Sequence, residues 1–274
     1  MNSFNENPNY SLEHAGLRYV RELISRCFFQ DYVVTIVSAY FKMHDIMHDL
    51  ASSLAQNEFS IISSQNHQIS KTTRHLSVLD SDSFFHRTLP KFPNNFHQVR
   101  SIGFADSIVG PTCKTDFEKC LLEFKHLRSL KLMDDSEFET FPESIGALKH
   151  LRYLYFGNNT KIKRLPKSIF KLQNLQALAV AGEGLEELPK DVRYMISLRF
   201  LLLVTQQKRL PEGGIGCLEC LQTLYIVECE NLENLCEDMQ GLKSLRKLVI
   251  SGCDSLISLP ISIKCITTRG RIIY

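Results

Sequence analysis

Leucines recur through this chain at a spacing of about two dozen residues, and few folds accommodate that period. Read as Leu-x-x-Leu-x-Leu, the pattern starts at Leu127, Leu151, Leu175, Leu198, Leu221 and Leu245, at intervals of 24, 24, 23, 23 and 24 residues. Three residues on stand Leu130, Leu154, Leu178, Leu201, Leu224 and Leu248, and two further on Leu132, Phe156, Val180, Leu203, Ile226 and Ile250. One such unit cannot bury its own leucines, so neighbouring units must stack and share a core. The pattern predicts an α/β leucine-rich-repeat solenoid, a horseshoe whose Leu-x-Leu segments are parallel strands on one concave face.

The second half of each unit is regular too. A Leu-Pro or Phe-Pro step falls at 141–142, 165–166, 188–189, 210–211 and 259–260, with Leu235-Cys236 in its place once. Proline fixes its own φ and extends the residue before it, turning the chain away from the strand. Three residues past the last strand leucine is the position where a polar side chain bonds the adjacent coil. It holds Asp135, Asn159, Glu183, Gln206, Cys229 and Cys253. Two irregular first coils are expected upstream, with strands at 73–78 and 99–104. The repeat domain is bounded at 73–266, followed by an irregular tail at 267–274.

Before the repeats, residues 12–28 read as an amphipathic helix carrying Leu17, Val20, Leu23, Ile24 and Cys27 on one face. A hairpin is expected over 32–37 and 39–43. A second helix follows over 44–56, with Met43, Met47, Leu50 and Leu54 as its buried stripe. Helix, hairpin and helix fit the last part of a winged-helix domain, placed at 1–58, with a linker at 59–72 that starts on a strand at 59–62.

Composition excludes several classes. Net charge is +2, too small to imply a nucleic-acid or membrane partner. No apolar run reaches the length of a membrane span, and the Asn-rich start lacks a signal-peptide core, which points to the cytoplasm. Nine cysteines at scattered spacings argue against a disulfide framework. Cys217-x-x-Cys220 with Cys229 and Cys236 lacks the second short spacing of a zinc site, and the repeat register accounts for Cys229 and Cys253 without metal.

The string Met43-His44-Asp45-Ile46-Met47-His48-Asp49-Leu50 places two histidines, and two aspartates, one helical turn apart. A metal-dependent hydrolase centred on His44, Asp45, His48 and Asp49 is one reading. Against it, the residue after His44 is not the Glu of the helical zinc-protease motif, and no third ligand is evident.

Taken in order, Gly16-Leu17-Arg18-Tyr19, the stretch from Glu22 to Gln30, Phe41 to Ala51, Thr73 to Ser77 and the Leu-Pro repeats resemble plant intracellular immune receptors. The type is the coiled-coil, nucleotide-binding, leucine-rich-repeat disease resistance protein. The resemblance implies that the histidine of Met-His-Asp, here His44, contacts the phosphate of bound ADP in an intact receptor and that Asp45 helps position the motif. It also implies that the repeats sense a pathogen effector or a modified host protein and restrain activation. No Gly is followed by Lys, so no phosphate-binding loop is present. The chain is therefore expected to be a fragment or shortened form, with no cofactor of its own, ADP or ATP belonging to the full-length receptor. Two other readings are a repeat scaffold without a defence role and an extracellular repeat receptor glycosylated at Asn158-Asn159-Thr160.

Alternation along the strands aims Lys131, Met133, Tyr153, Tyr155, Phe200, Leu202, Thr223 and Tyr225 at the concave side as an exposed partner-binding stripe. Between Ser144 and Gly182 lie seven bases and no acid: Lys149, Arg152, Lys161, Lys163, Arg164, Lys167 and Lys171. From Leu210 to Leu242 there are seven acids and no base. The basic early coils are expected to meet the receptor's nucleotide-binding domain. A protein partner is expected, not nucleic acid, since no reader motif accompanies the charge.

Overall fold

In the computed structural model the described residues are 12–34, 39–81, 83–91, 93–104, 114–132, 139–157, 162–182, 185–263 and 271–273. They form two units, Met1–Gln56 and Asn57–Tyr274. Among the described residues no helix is long and apolar enough to cross a membrane.

The first unit is helix α1 (Leu12–Ser25), strands β1 (Phe29–Val34) and β2 (Ala39–Met43) paired antiparallel, and helix α2 (Asp45–Ala55). The expected hairpin is present, with its first strand starting three residues early. Phe29 and Phe41 pack across it with ring centroids 4.1 Å apart. α1 ends where Cys27 turns into the left-handed region at φ 59°. The stripe expected to be buried on α2 is not: no α2 residue is buried, and Leu50 and Leu54 are exposed. Among the described residues of this unit, two helices and one hairpin supply no opposing layer to close over that face.

The second unit is a ten-stranded parallel sheet wound as a succession of coils. Its strands are β3 (Phe59–Ile62), β4 (His75–Val78), β5 (Ser101–Phe104), β6 (Ser129–Leu132), β7 (Tyr153–Phe156), β8 (Ala177–Val180), β9 (Phe200–Leu203), β10 (Thr223–Val227), β11 (Lys247–Ser251) and β12 (Arg271–Ile273). Each pairs with its sequence neighbours. The solenoid starts earlier than the expected boundary at 73. β3 pairs in register with β4, and the segment taken as linker is the turn of a short first coil. The buried Thr73 hydroxyl closes that turn, 2.9 Å from Ser60 Oγ and donating to the Asn57 carbonyl at 3.2 Å. Within the tail taken as irregular, Arg271–Ile273 continues the sheet beside β11.

The leucine columns build the core. Leu130, Leu154, Leu178, Leu201, Leu224 and Leu248 are at most 1% exposed. Burying each stabilises the fold by roughly 1.5–3 kcal/mol relative to exposure. The Pro steps start the short 3-10 helices opposite the sheet. Pro142, Pro166 and Pro189 hold φ between −61° and −73° just before Glu143–Ala147, Lys167–Lys171 and Lys190–Tyr194. Cys236 takes the same conformation at φ −71°, which explains why that unit dispenses with proline.

The early coils are wider, and phenylalanine fills them. A π-helical stretch (Ser83–Thr88) running into a helical turn, α3 (Leu89–Lys91), a 3-10 helix (Pro93–Gln98) and helix α4 (Lys114–Glu123) stand where later coils have a single short 3-10 helix. Phe84 meets Phe96 and Phe104, Phe117 meets Phe141, and Phe141 meets Phe156 at centroid distances of 4.8 to 5.9 Å, mostly edge to face. Rings of this size span a gap that leucine leaves open.

The coil-bridging role expected of Cys229 and Cys253 is visible. Thr205 N donates to Cys229 Sγ at 3.3 Å, and Cys229 Sγ donates to the Val227 carbonyl at 3.3 Å. Cys253 Sγ reaches the Ile226 carbonyl at 3.7 Å. One coil earlier the buried residue is Thr205, donating to the Leu185 carbonyl at 3.0 Å, and not Gln206. Gln206 accepts from Asn231 Nδ2 at the surface. Asp135, Asn159 and Glu183 lie outside the described residues.

Leu201→Ala is expected to cost about 2–5 kcal/mol, seen as a lower urea midpoint. Gly241→Ala should also destabilise, by about 1–3 kcal/mol, because its Cβ would strike the backbone carbonyl of Gly216 on the coil beneath. Burial raises the Cys120 and Cys236 thiols, and the neighbouring Cys253 with burial raises Cys229. Alkylation at pH 8 followed by mass spectrometry should therefore label the exposed Cys217 and Cys220 well before these three.

Candidate functional site

His44 is the N-cap of α2, at φ −61° and ψ 142°, with no side-chain capping bond; its carbonyl accepts from His48 N at 2.8 Å. The imidazole and the Asp45 carboxylate beside it are exposed. Asp45 sits in the first turn, where a negative charge suits the helix dipole. His48 Nδ1 lies 3.6 Å from Asp49 Oδ1 at the surface. Among the described residues no three His, Cys, Asp or Glu side chains gather to hold a metal ion.

The repeat sheet has two unlike faces. One packs on the leucine core; the other carries the stripe expected to meet a partner. Parallel register stacks that stripe: Tyr153, Ala177, Phe200, Thr223 and Lys247 form one column, and Lys131, Tyr155, Ala179, Leu202, Tyr225 and Val249 the next. The expectation of an exposed stripe holds only in part. Tyr153 is exposed, and Lys131, Tyr155, Phe200 and Thr223 are half-buried, but Leu202 and Tyr225 are 1% and 5% exposed. Strands about 4.8 Å apart press neighbouring side chains together, so large residues shade each other. Ala179, Leu202, Val204, Tyr225 and Val249 make a second apolar cluster, separate from the main core, with Tyr155, Ala181, Phe200 and Val227 packed against it. Met133 lies outside the described residues.

Two lysines are held by tyrosines on this face. Lys247 Nζ donates to Tyr225 Oη at 2.6 Å and lies 4.9 Å from the ring centre, while Lys131 Nζ lies 5.9 Å from the Tyr155 ring centre. Phe200 packs on Tyr225 with centroids 5.5 Å apart.

The seven bases between Ser144 and Gly182 do not make one patch. A coil turns full circle in two dozen residues, so a run of that length visits every side. Lys149 and Arg152 stand at the edge where the chain enters β7. Lys163 pairs with Glu139 and Arg164 with Glu186, both at 3.2 Å, on the opposite edge. Lys167 and Lys171 sit on the 3-10 helix between. Lys161 lies outside the described residues. The acidic run is likewise dispersed. Glu219 meets Lys243 at 2.7 Å and Glu233 meets Lys208 at 3.2 Å, while Glu212 accepts from Glu237 N and Asp238 from Gly213 N. Some of the charges segregated along the chain are thus paired between coils.

Sequence reasoning overlooked the entry edge. Lys125-His126-Leu127-Arg128 recurs as Lys149-His150-Leu151-Arg152, exposing all six cationic or imidazole side chains on adjacent coils. The two imidazole rings lie 5.5 Å apart. The same column holds Arg74, Arg100, Arg199 and Arg246, and the repeated tetrapeptide was the signal that could have found it.

Comparison with known proteins agrees with both units. The leucine-rich repeat region family matches residues 98–259, and the disease resistance protein winged helix domain matches residues 3–51. The chain is 37% identical to the disease resistance protein RGA2 of Solanum bulbocastanum over 140 residues, 51% of this chain and 11% of that protein. A relative from Arabidopsis thaliana, also named as a disease resistance protein, is 33% identical over 224 residues, 81% of this chain and 12% of its own length. The chain thus spans only about a tenth of these relatives. Among solved structures, the leucine-rich repeat domain of the type III effector XopL aligns with a TM-score of 0.60 at 19% identity, covering 98% of this chain and 85% of that one. That likeness is one of fold. Repeat period, stacked sheet, helix–hairpin–helix unit and both family matches converge: the chain belongs to the leucine-rich repeat family, and its first unit matches the winged helix domain of disease resistance proteins.

Proposed function

We propose that the repeat unit is the protein-recognition part of a cytoplasmic receptor and takes a pathogen effector or a modified host protein on the open face of its sheet. The observation that carries this reading is the second apolar cluster, flanked by the exposed Tyr153 and the half-buried Tyr155 and Phe200. Aromatic side chains aligned on one rigid wall are the usual anchors of protein interfaces.

The entry edge has a second role in this reading. Lys125, Arg128, Lys149 and Arg152 dock against the receptor's nucleotide-binding region and restrain it, an electrostatic contact that orients two bodies. His44 and Asp45 would act on ADP only when that region supplies the phosphate cradle. Catalysis by this chain forms no part of the reading.

The test is association of this chain with the nucleotide-binding region of a disease resistance relative, measured by co-precipitation of the coexpressed parts. Lys149→Glu combined with Arg152→Glu should weaken association by about tenfold or more. Lys163→Glu, on the opposite edge, should change it little. Association unaffected by the double reversal would remove the docking role. Tyr155→Glu should spare that contact and abolish response to a partner in the intact receptor.

A further inference from the structure

On the strand positions of the open face from β3 to β11 there is no Asp or Glu, whereas Lys131 and Lys247 stand there. The entry edge of the same sheet carries six arginines in register: Arg74, Arg100, Arg128, Arg152, Arg199 and Arg246. Arg74 pairs with Glu58 at 3.0 Å, at the far end of the sheet from the apolar cluster. On the strands of the cluster, β8 to β11, Lys247 is the one charged side chain, and it is fixed there by Tyr225.

This fixes the chemistry of an occupant. Lys247 is half-buried on an apolar floor, with one ammonium proton given to Tyr225 Oη. Covering it with purely apolar groups would strip its remaining water and leave its other ammonium protons without an acceptor. A basic segment would be repelled. A segment acidic throughout would leave the floor of Leu202, Tyr225 and Val249 with no apolar group to receive. What satisfies both is an extended stretch alternating carboxylates with apolar side chains. Three strand spacings separate β8 from β11, about 14 Å, which four or five extended residues cross.

We propose that the open face of β8–β11 binds an extended acidic–apolar segment of a partner protein, with apolar side chains on Leu202 and Tyr225 and a carboxylate on Lys247. The inference rests on the recognition role above and names the partner chemistry for the later coils. The tyrosine holds the lysine in place before binding, so little side-chain freedom is lost when the carboxylate arrives.

The experiment uses the whole chain and short fluorescent peptides, read by anisotropy. One peptide alternates Asp and Glu with Leu and Phe. A second replaces its acids by Lys, a third replaces its apolar residues by Ser, and a single-stranded oligonucleotide serves as a polyanion. The first peptide should bind, the lysine peptide should not, and the serine peptide and the oligonucleotide should bind at least about tenfold more weakly. Lys247→Met should weaken the first peptide about tenfold with an unchanged urea midpoint. Tyr225→Phe, which keeps the ring and frees the lysine, should weaken it by a smaller factor. Equal binding of the serine peptide or of the oligonucleotide, or indifference to Lys247→Met, would overturn the inference by reducing the face to a charge sponge. Absence of binding by every peptide would overturn it as well. The docking role would survive either result, since it is read separately from Lys149 and Arg152.

Discussion

Eight backbone carbonyls, from Glu58, Arg74, Arg100, Arg128, Arg152, Gln176, Arg199 and Gln222, each accept two amides from the coil that follows. The bonds run from 2.7 to 3.1 Å. A carbonyl that satisfies both lone pairs on one neighbour leaves no freedom of register. Every column of side chains inherits that alignment. The leucines stack into one core, the arginines into one edge, and the aromatic and apolar residues into one wall. Leucine burial supplies the free energy, but the shared carbonyl decides which leucine meets which.

The same stacking reorganises the charges. Along the chain, acids and bases fall into blocks that suggest two opposed surfaces. In space a coil lies on its neighbour, so partners two dozen residues apart become adjacent, as Lys163 with Glu139 and Glu219 with Lys243. These pairs are exposed and each contributes little. Glu143 illustrates a firmer use of a carboxylate. It accepts from Ser168 N on the next coil at 3.0 Å, and its bonds to Ser168 hold its pKa below the ordinary value. Such a bond ties one 3-10 helix to the next where the backbone has no sheet to join.

The regular coils were legible because the core leucines, the Pro steps and the strands all obey one period. The early coils were less so. Their helices lengthen the period, and the rings of Phe84, Phe96, Phe104 and Phe117 carry no spacing signal of their own. Phe59–Ile62 could be read as a strand, yet its membership of the sheet depends on pairing with β4, which is a tertiary fact. Alternation gave the shared face of the described stripe residues. It did not give their accessibility, because shading between adjacent strands depends on the sizes of residues one coil away. Leu202 and Tyr225 are hidden by neighbours that no local pattern names. The Arg column is readable in the letters, one residue after Leu127, Leu151 and Leu198, but becomes an edge only when the coils stack.

Because each coil is held by contacts with its immediate neighbours, the backbone ladder and shared leucines first among them, the solenoid has no closure to preserve. Duplication or loss of one unit would leave the remaining ones geometrically intact. It would shift the Arg152 edge relative to the Tyr225 wall by about 4.8 Å, one sheet spacing. The distance between two sites on different coils of this architecture is therefore quantised. A lineage can retune that span by recombination within a repetitive gene, in whole steps, without inventing a single new residue.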